Sequence, residues 1–279
     1  MAPASPSTKP RTLDHPVEVL APTTSTNDTA AHRSTLDALR SIQSRVFRLD
    51  GPIIVTIDGP AGTGKSTVAR SLAKRLHVDF LDTGAMYRAA AALAIDRHIN
   101  NDAQLVALVK TANIRFNWKA DPPEILAFGR PLSSRIRDKD VTSRVSPVSA
   151  IHDLRELMVD LQRQIAIEHP RLVTEGRDQG SVVFPDATVK FYLDADPAER
   201  ARRRVEQMKA AGKFAYDATQ DEVNKVLAEI VERDERDRNR PDGPLRQPDG
   251  AVVIDTTFLS QDEVIVELDR VVRSRATLA

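Results

Sequence analysis

A parallel α/β sheet of five strands, flanked by helices and built on a phosphate-binding loop, is the fold class this sequence predicts. Three observations lead there. Residues 53–58 form a β-branched strand that runs directly into Gly59-Pro-Ala-Gly-Thr-Gly64-Lys65-Ser66-Thr67 and then into a helical run ending at Leu76. Beyond it, strand-like and helix-like segments alternate, the pattern of parallel strands covered on both faces. The length of 279 residues is ample to bury such a core.

The glycines of the loop permit a tight turn whose backbone N–H groups converge on a polyphosphate. Lys65 reaches the β/γ-phosphates, the Ser66 hydroxyl is the expected Mg²⁺ ligand, and the following helix points its positive end at the anion. The expected triphosphate-binding set is therefore Gly59, Pro60, Ala61, Gly62, Thr63, Gly64, Lys65, Ser66 and Thr67.

The remaining elements follow in order. Asp79–Asp82 reads as a short strand, and Ala85–Arg97 as a helix with Met86, Ala89, Ala90, Leu93 and Ala94 on one side. A second helix spans 102–112. Two strand-like runs, Asn113–Trp118 and Glu124–Phe128, flank an Asp-Pro-Pro turn signal and interrupt the rhythm as a small antiparallel insert. Helix returns at Ser149–Glu168, followed by strands Arg171–Thr174 and Thr188–Asp194, a long helix from Pro197, and a helix from Thr219 to Arg240. Strand Ala251–Asp255 and a helix from Ser260 close the chain. Ligands in such a sheet bind at the carboxyl ends of the strands.

Residues 1–32 are rich in Pro, Ser, Thr and Ala without hydrophobic period, so they are expected to be disordered. Within 33–50, Leu36, Leu39, Ile42 and Val46 recur at near-helical spacing, which suggests an amphipathic helix or linker. Lys plus Arg equals Asp plus Glu at 40 each, so there is no net field to attract nucleic acid. Cysteine is absent, which excludes disulfides and thiol chemistry. No apolar run is long enough to span a bilayer and no signal peptide is visible, so no membrane partner and a cytoplasmic location are expected.

Three constellations carry the remaining polar chemistry. In Asp82-Thr83-Gly84-Ala85-Met86-Tyr87-Arg88 a strand gives way to a helix, and Thr83 can cap that helix or bond a ligand. Glu175-Gly176-Arg177-Asp178-Gln179-Gly180 follows a strand, its glycines allowing backbone to approach something small and polar. The run from Arg233 to Arg240 continues the stripe of Val226 and Ile230, which places Arg233, Asp237 and Arg240 on the inward face, where charges need partners or a ligand.

Taken together, Gly59–Thr67, Asp-Thr-Gly-Ala-Met-Tyr-Arg, Glu-Gly-Arg-Asp-x-Gly-Ser-Val-Val-Phe-Pro-Asp at 175–186 and Arg-Asp-x-x-Asp-Arg-Asn-Arg resemble the bacterial cytidylate kinases over residues 51–276. The resemblance implies a P-loop kinase domain at 51–279, with the monophosphate-binding insert at about 113–145 and a short lid at about 205–218. It implies ATP and CMP or dCMP as substrates, Mg²⁺ with the ATP, and a monomer. By the same resemblance Asp178 faces the base, Ser146 and Arg155 donate to the ring nitrogen and 2-oxo group, and Arg88, Arg177 and Arg240 clamp the acceptor phosphate. Arg233 and Asp237 hold the ribose, and Thr83 belongs to the substrate set. Arg200, Arg203 and Arg204 begin the lid, with Arg203 approaching ATP; an exposed arginine-rich helix is a comparable reading. Lys65, Arg177 and Arg240 form the catalytic set. Asp58 is a candidate acidic partner for the metal.

The attacking phosphate is already ionised at neutral pH, so the reaction needs alignment and charge neutralisation rather than a general base. Two other classes share parts of the pattern. A phosphate-loop kinase for AMP, UMP or shikimate would share 53–67 but not Ser146, Arg155 and Asp178. A nucleotide-binding regulatory module would keep the loop and lose the acceptor arginines.

Overall fold

The computed structural model describes residues 51–210 and 218–276. The segments 1–32 and 33–50 lie outside the described residues, as does half of the expected lid, residues 211–217.

Strand β1 (Ile53–Asp58) leads through the phosphate loop into α1 (Lys65–Leu76), then β2 (Asp79–Asp82), α2 (Thr83–Asp96) and α3 (Asp102–Ala112). Three short strands follow, β3 (Arg115–Asn117), β4 (Glu124–Ala127) and β5 (Arg130–Pro131), then helices α4 (Lys139–Val148) and α5 (His152–Glu168). The chain completes the sheet with β6 (Arg171–Glu175) and β7 (Val189–Asp194), crosses α6 (Pro197–Ala210) and α7 (Gln220–Arg238), and ends with β8 (Val252–Asp255) and α8 (Gln261–Ala276).

All five large-sheet strands are parallel, in the order β2-β6-β1-β7-β8. The connection from β1 to β2 runs toward one edge of the sheet and that from β6 to β7 crosses β1 toward the other, so the carboxyl ends of β1, β6 and β7 border a topological switch point, where ligands bind. Register matters for the chemistry: Ile57 pairs with Glu175 and Glu175 with Asp82, so carboxylates from neighbouring strands finish at one edge.

Two apolar cores hold the sheet. On one face Val68 and Leu72 of α1 meet Phe191 and Leu268. On the other, Leu81, Met86 and Met158 join the insert through Ile125. Helix α2 differs from the expected one-sided stripe: Ala91 and Ala92 are buried as well as Ala89 and Ala90. Small side chains let it lie between sheet, α3 and insert, buried almost all round.

The antiparallel insert is present as β3-β4-β5. Helix α4, which the sequence reading left without an element, buries Val141, Val145 and Val148 and carries Pro147 in its last turn.

Candidate active site

The phosphate loop turns through Gly59, Gly62 and Gly64, with φ of 146°, 83° and 87°. A Cβ at Gly59 would stand 2.0 Å from the Leu193 carbonyl oxygen, so this position is closed to any larger residue. The Lys65 ammonium is buried and donates to the Pro60 carbonyl at 2.5 Å and to Thr63 Oγ1 at 3.4 Å. Burial, seconded by the Arg177 charge, pushes it down to about 7.

Three carboxylates lie beside the loop. Ser66 Oγ donates to Glu175 Oε1 at 2.7 Å, and Asp82, whose neighbour across the ladder is Glu175, is pushed upward by burial and then by the Glu175 charge. Asp58, the sequence's candidate for the metal, is occupied otherwise. Its two oxygens accept from the amides of Gln179 (2.8 Å) and Gly180 (2.7 Å), deep in the core. It fixes the turn that carries Arg177 and Asp178, and burial pushes it up to about 7. Glu175 is the carboxylate that bonds Ser66, with Asp82 beside it across the ladder. The expected helix cap also moves: Asp82 accepts from the Ala85 amide at 2.9 Å, while Thr83 donates to the Glu175 carbonyl at 2.7 Å, tying α2 to β6.

The cations form one cluster. Arg177 donates to Asp237 at 2.9 Å; burial opposes its charge, but Asp237 and Glu175 outweigh that and hold it above its ordinary value. Arg88 bonds Thr142 at 3.1 Å and is depressed first by burial, with Arg204, Arg177 and Arg137 adding repulsion against Asp82. Arg233 is depressed to about 10 by burial and by Arg177, and its Nε, sealed from solvent, has no hydrogen-bond partner among the described residues. Asp237 stays below the usual carboxylate range because Arg177 and Arg233 overcome its burial. Such crowding of like charge is stable only beside anions.

Next to this cluster Arg155 and Asp178, 3% and 4% exposed, form a buried ion pair. The Arg155 guanidinium also donates to the Ser149 carbonyl at 3.1 Å and covers the Tyr87 ring at 5.6 Å. Arg240 lies 4.0 Å from the same Asp178 carboxylate and bonds the carbonyls of Asp242 and Gly243, so it adjoins the Arg155–Asp178 pair as well as the arginine cluster. Ser146 stands in the last turn of α4, where its carbonyl accepts from Ser149.

The lid arginines separate. Arg203 donates to Glu199 at 2.9 Å and to the Thr256 carbonyl at 2.6 Å, and Thr256 in turn reaches the Thr63 carbonyl at 3.5 Å, so Arg203 adjoins the loop while engaged with protein groups. Arg204 acts electrostatically on Arg88. Arg200 faces inward and pairs with buried Asp234. Sequence reasoning missed Asp234 and Arg137. The signal for Asp234 was there, four residues after Ile230 on the buried stripe; Arg137 sits in a 3₁₀ turn with no periodic pattern.

A phosphate loop at the switch point of a parallel sheet, facing clustered arginines across a carboxylate-lined edge, defines a phosphate-loop kinase. The cytidylate kinase family model matches residues 55–274. Curated relatives named cytidylate kinase include those of Corynebacterium efficiens and Mycobacterium leprae. The first is 43% identical over 229 residues, covering 81% of this chain and 97% of the relative. The second is 43% identical over 228 residues, covering 80% and 97%. That of Shigella sonnei is 39% identical over 228 residues, covering 81% and 97%. The chain belongs to the cytidylate kinase family.

Proposed function

We propose that this protein transfers the γ-phosphate of ATP to CMP or dCMP. The observation that carries the reading is the buried Arg155–Asp178 pair beside the arginine cluster. A carboxylate there accepts from an exocyclic amino group, while the guanidinium and Ser146 donate to a pyrimidine's ring nitrogen and 2-oxo oxygen. Arg88, Arg177 and Arg240 take the acceptor phosphate, with planar forks matched to its oxygens. Arg233 and Asp237 hold the ribose, and Arg233, close to Arg177 and Arg88 in charge, also faces the transferring group. Thr83 braces this side through its bond to the Glu175 carbonyl.

The donor phosphates lie on the loop amides, with Lys65 leaving the Pro60 carbonyl for the β/γ bridge. Polyanion binding raises the Lys65 pKa, so the ammonium is charged when needed. Ser66, Glu175 and Asp82 supply hard oxygen donors of the kind Mg²⁺ takes, directly or through water. When bound, the ion neutralises charge on the β- and γ-oxygens. The protein's own work is alignment of the two phosphates and exclusion of water as insert and lid close. Neutral net charge fits free nucleotides rather than nucleic acid as ligands, and no described helix is long and apolar enough to cross a membrane.

One coupled assay comparing CMP, dCMP, UMP and AMP tests the reading. CMP and dCMP are expected to be the best acceptors; turnover of UMP or AMP equal to that of CMP would overturn it.

A further inference from the structure

Asp234 and Arg200 belong to neither expected substrate-binding set, yet they are among the most buried charged residues described, 1% and 2% exposed. They form an ion pair between α7 and α6. Both also grip one residue of the phosphate loop: Asp234 Oδ1 accepts from the Ala61 amide at 3.0 Å, and Arg200 Nη1 donates to the Ala61 carbonyl at 2.9 Å. Arg200 is itself fixed by donating to the Ala195 carbonyl at 3.0 Å. The fit is close, since a Cβ on Gly62 would lie 3.1 Å from Arg200 Cβ. The apolar contacts of the α6–α7 hairpin, Ala201, Val205, Val226 and Ile230, form a cluster of their own, separate from both main cores.

The residues around Asp234 on α7 serve the other end of the reaction. Arg233 joins the cation cluster, and Asp237, about 4.5 Å further along the helix axis, pairs with Arg177. One helix therefore touches the donor loop and the acceptor arginines. We infer that the Arg200–Asp234 pair pins α7 to the phosphate loop at Ala61, making α7 a spacer that sets the offset between donor phosphates and acceptor cluster. Arg200 and Asp234 are positioning residues for phosphoryl transfer. An ångström of misplacement costs a transfer reaction about a hundredfold, so the pin acts on rate more than on binding.

This inference rests on the kinase reading above, and the experiment separates the two. Asp234→Asn keeps an acceptor for the Ala61 amide but leaves Arg200 without its counter-charge; Arg200→Met/Asp234→Leu removes both charges, a change that buried pairs tolerate. Each is assayed well below its melting temperature, with kcat normalised to active sites by nucleotide titration. The expected result is a kcat at least about tenfold below wild type, with the Kd for CMP and for ATP within threefold. A kcat within twofold of wild type, or a parallel loss of CMP affinity, overturns the pin. Wild-type protein offers a readout independent of mutation: the Ala61 amide should exchange its hydrogen in step with the amides of α7, and exchange faster than and unrelated to α7 overturns the inference. Absence of CMP-dependent turnover in wild type would instead remove the kinase reading.

Discussion

The phosphate loop and the acceptor pocket face each other across the carboxyl ends of β1 and β6, and they are made of different material. The donor side is one contiguous stretch, Gly59–Thr67, whose binding groups are mostly backbone amides shaped by glycine. The proposed acceptor side is gathered from α2 (Arg88), α4 and α5 (Ser146, Arg155), the turn after β6 (Arg177, Asp178), α7 (Arg233, Asp237) and the turn that follows it (Arg240). Its groups are side chains held by other side chains: Asp178 by Arg155, Arg177 by Asp237, the whole turn by Asp58. A backbone site tolerates changes that keep the turn. A side-chain site loses a specific function with each residue removed.

The sharpest break is expected on the donor side, where one side chain does what amides cannot. Lys65→Ala removes the point charge at the β/γ bridge and leaves the glycine turn intact. It should lower kcat at least about a thousandfold, the scale of a preorganised charge at a transferring group, with the melting temperature little changed. Activity within tenfold of wild type in folded protein would refute the assignment of the loop.

The acceptor side should yield a change of selectivity rather than outright loss. UMP presents a carbonyl where CMP has its amino group, so it meets the Asp178 carboxylate acceptor to acceptor. The mismatch costs on the order of 2–4 kcal/mol, making UMP roughly 30- to 1000-fold poorer than CMP. Asp178→Asn can offer its NH₂ to the uracil carbonyl, so it should reduce kcat/KM for CMP and narrow the ratio of CMP to UMP. An unchanged ratio would mean that Asp178 does not read the base.

The same contrast explains what was legible in the sequence. The loop and its flanking strand and helix were readable because the spacing of Gly59, Gly64, Lys65 and Ser66 encodes the structure locally. The five parallel strands were readable because apolar β-branched runs alternate with helical ones. Helix α4 was not, because three valines among charged and hydroxyl residues make a weak stripe and Pro147 reads as a breaker. The structural role of Asp58 was hidden for a related reason. A carboxylate ahead of a phosphate loop looks like a metal partner, and only the fold brings residues 121 and 122 positions away onto its two oxygens. Asp234 was hidden in a run of charges whose inward member is fixed by packing against α6.

Where donor and acceptor sides meet, a smaller effect is expected. Glu175→Gln keeps an oxygen to accept from Ser66 but removes a charge from the edge proposed to hold Mg²⁺. The Mg²⁺ concentration for half-maximal rate should rise about tenfold, as for loss of an outer-shell carboxylate, and direct titration of Mg²⁺ with a bound ATP analogue should show the same shift. A Mg²⁺ dependence identical to wild type would leave Glu175 a purely structural partner of Ser66.

The mildest test concerns the residue that supports the acceptor side from beneath. Asp58 is fully buried and its folded pKa of about 7 lies above the reference value of 3.8, chiefly through desolvation. Between those values the native state holds a proton that the unfolded chain has released, so ν_U − ν_N is negative and stability falls as pH rises. The stability contributed by a protonated Asp58 is therefore fully present below the unfolded value and lost as pH climbs through about 7. Asp58→Asn cannot titrate. It keeps one acceptor for the amides of Gln179 and Gly180 but turns its NH₂ toward the other, which costs about 1–3 kcal/mol at any pH. Melting temperatures of both proteins from pH 5 to pH 8 isolate the term, because every other group titrates in both. The wild type should lead most at pH 5, and the gap should close by about 5 °C toward pH 8. A gap constant across that range would show that Asp58 is charged throughout, stabilised by its two amides alone.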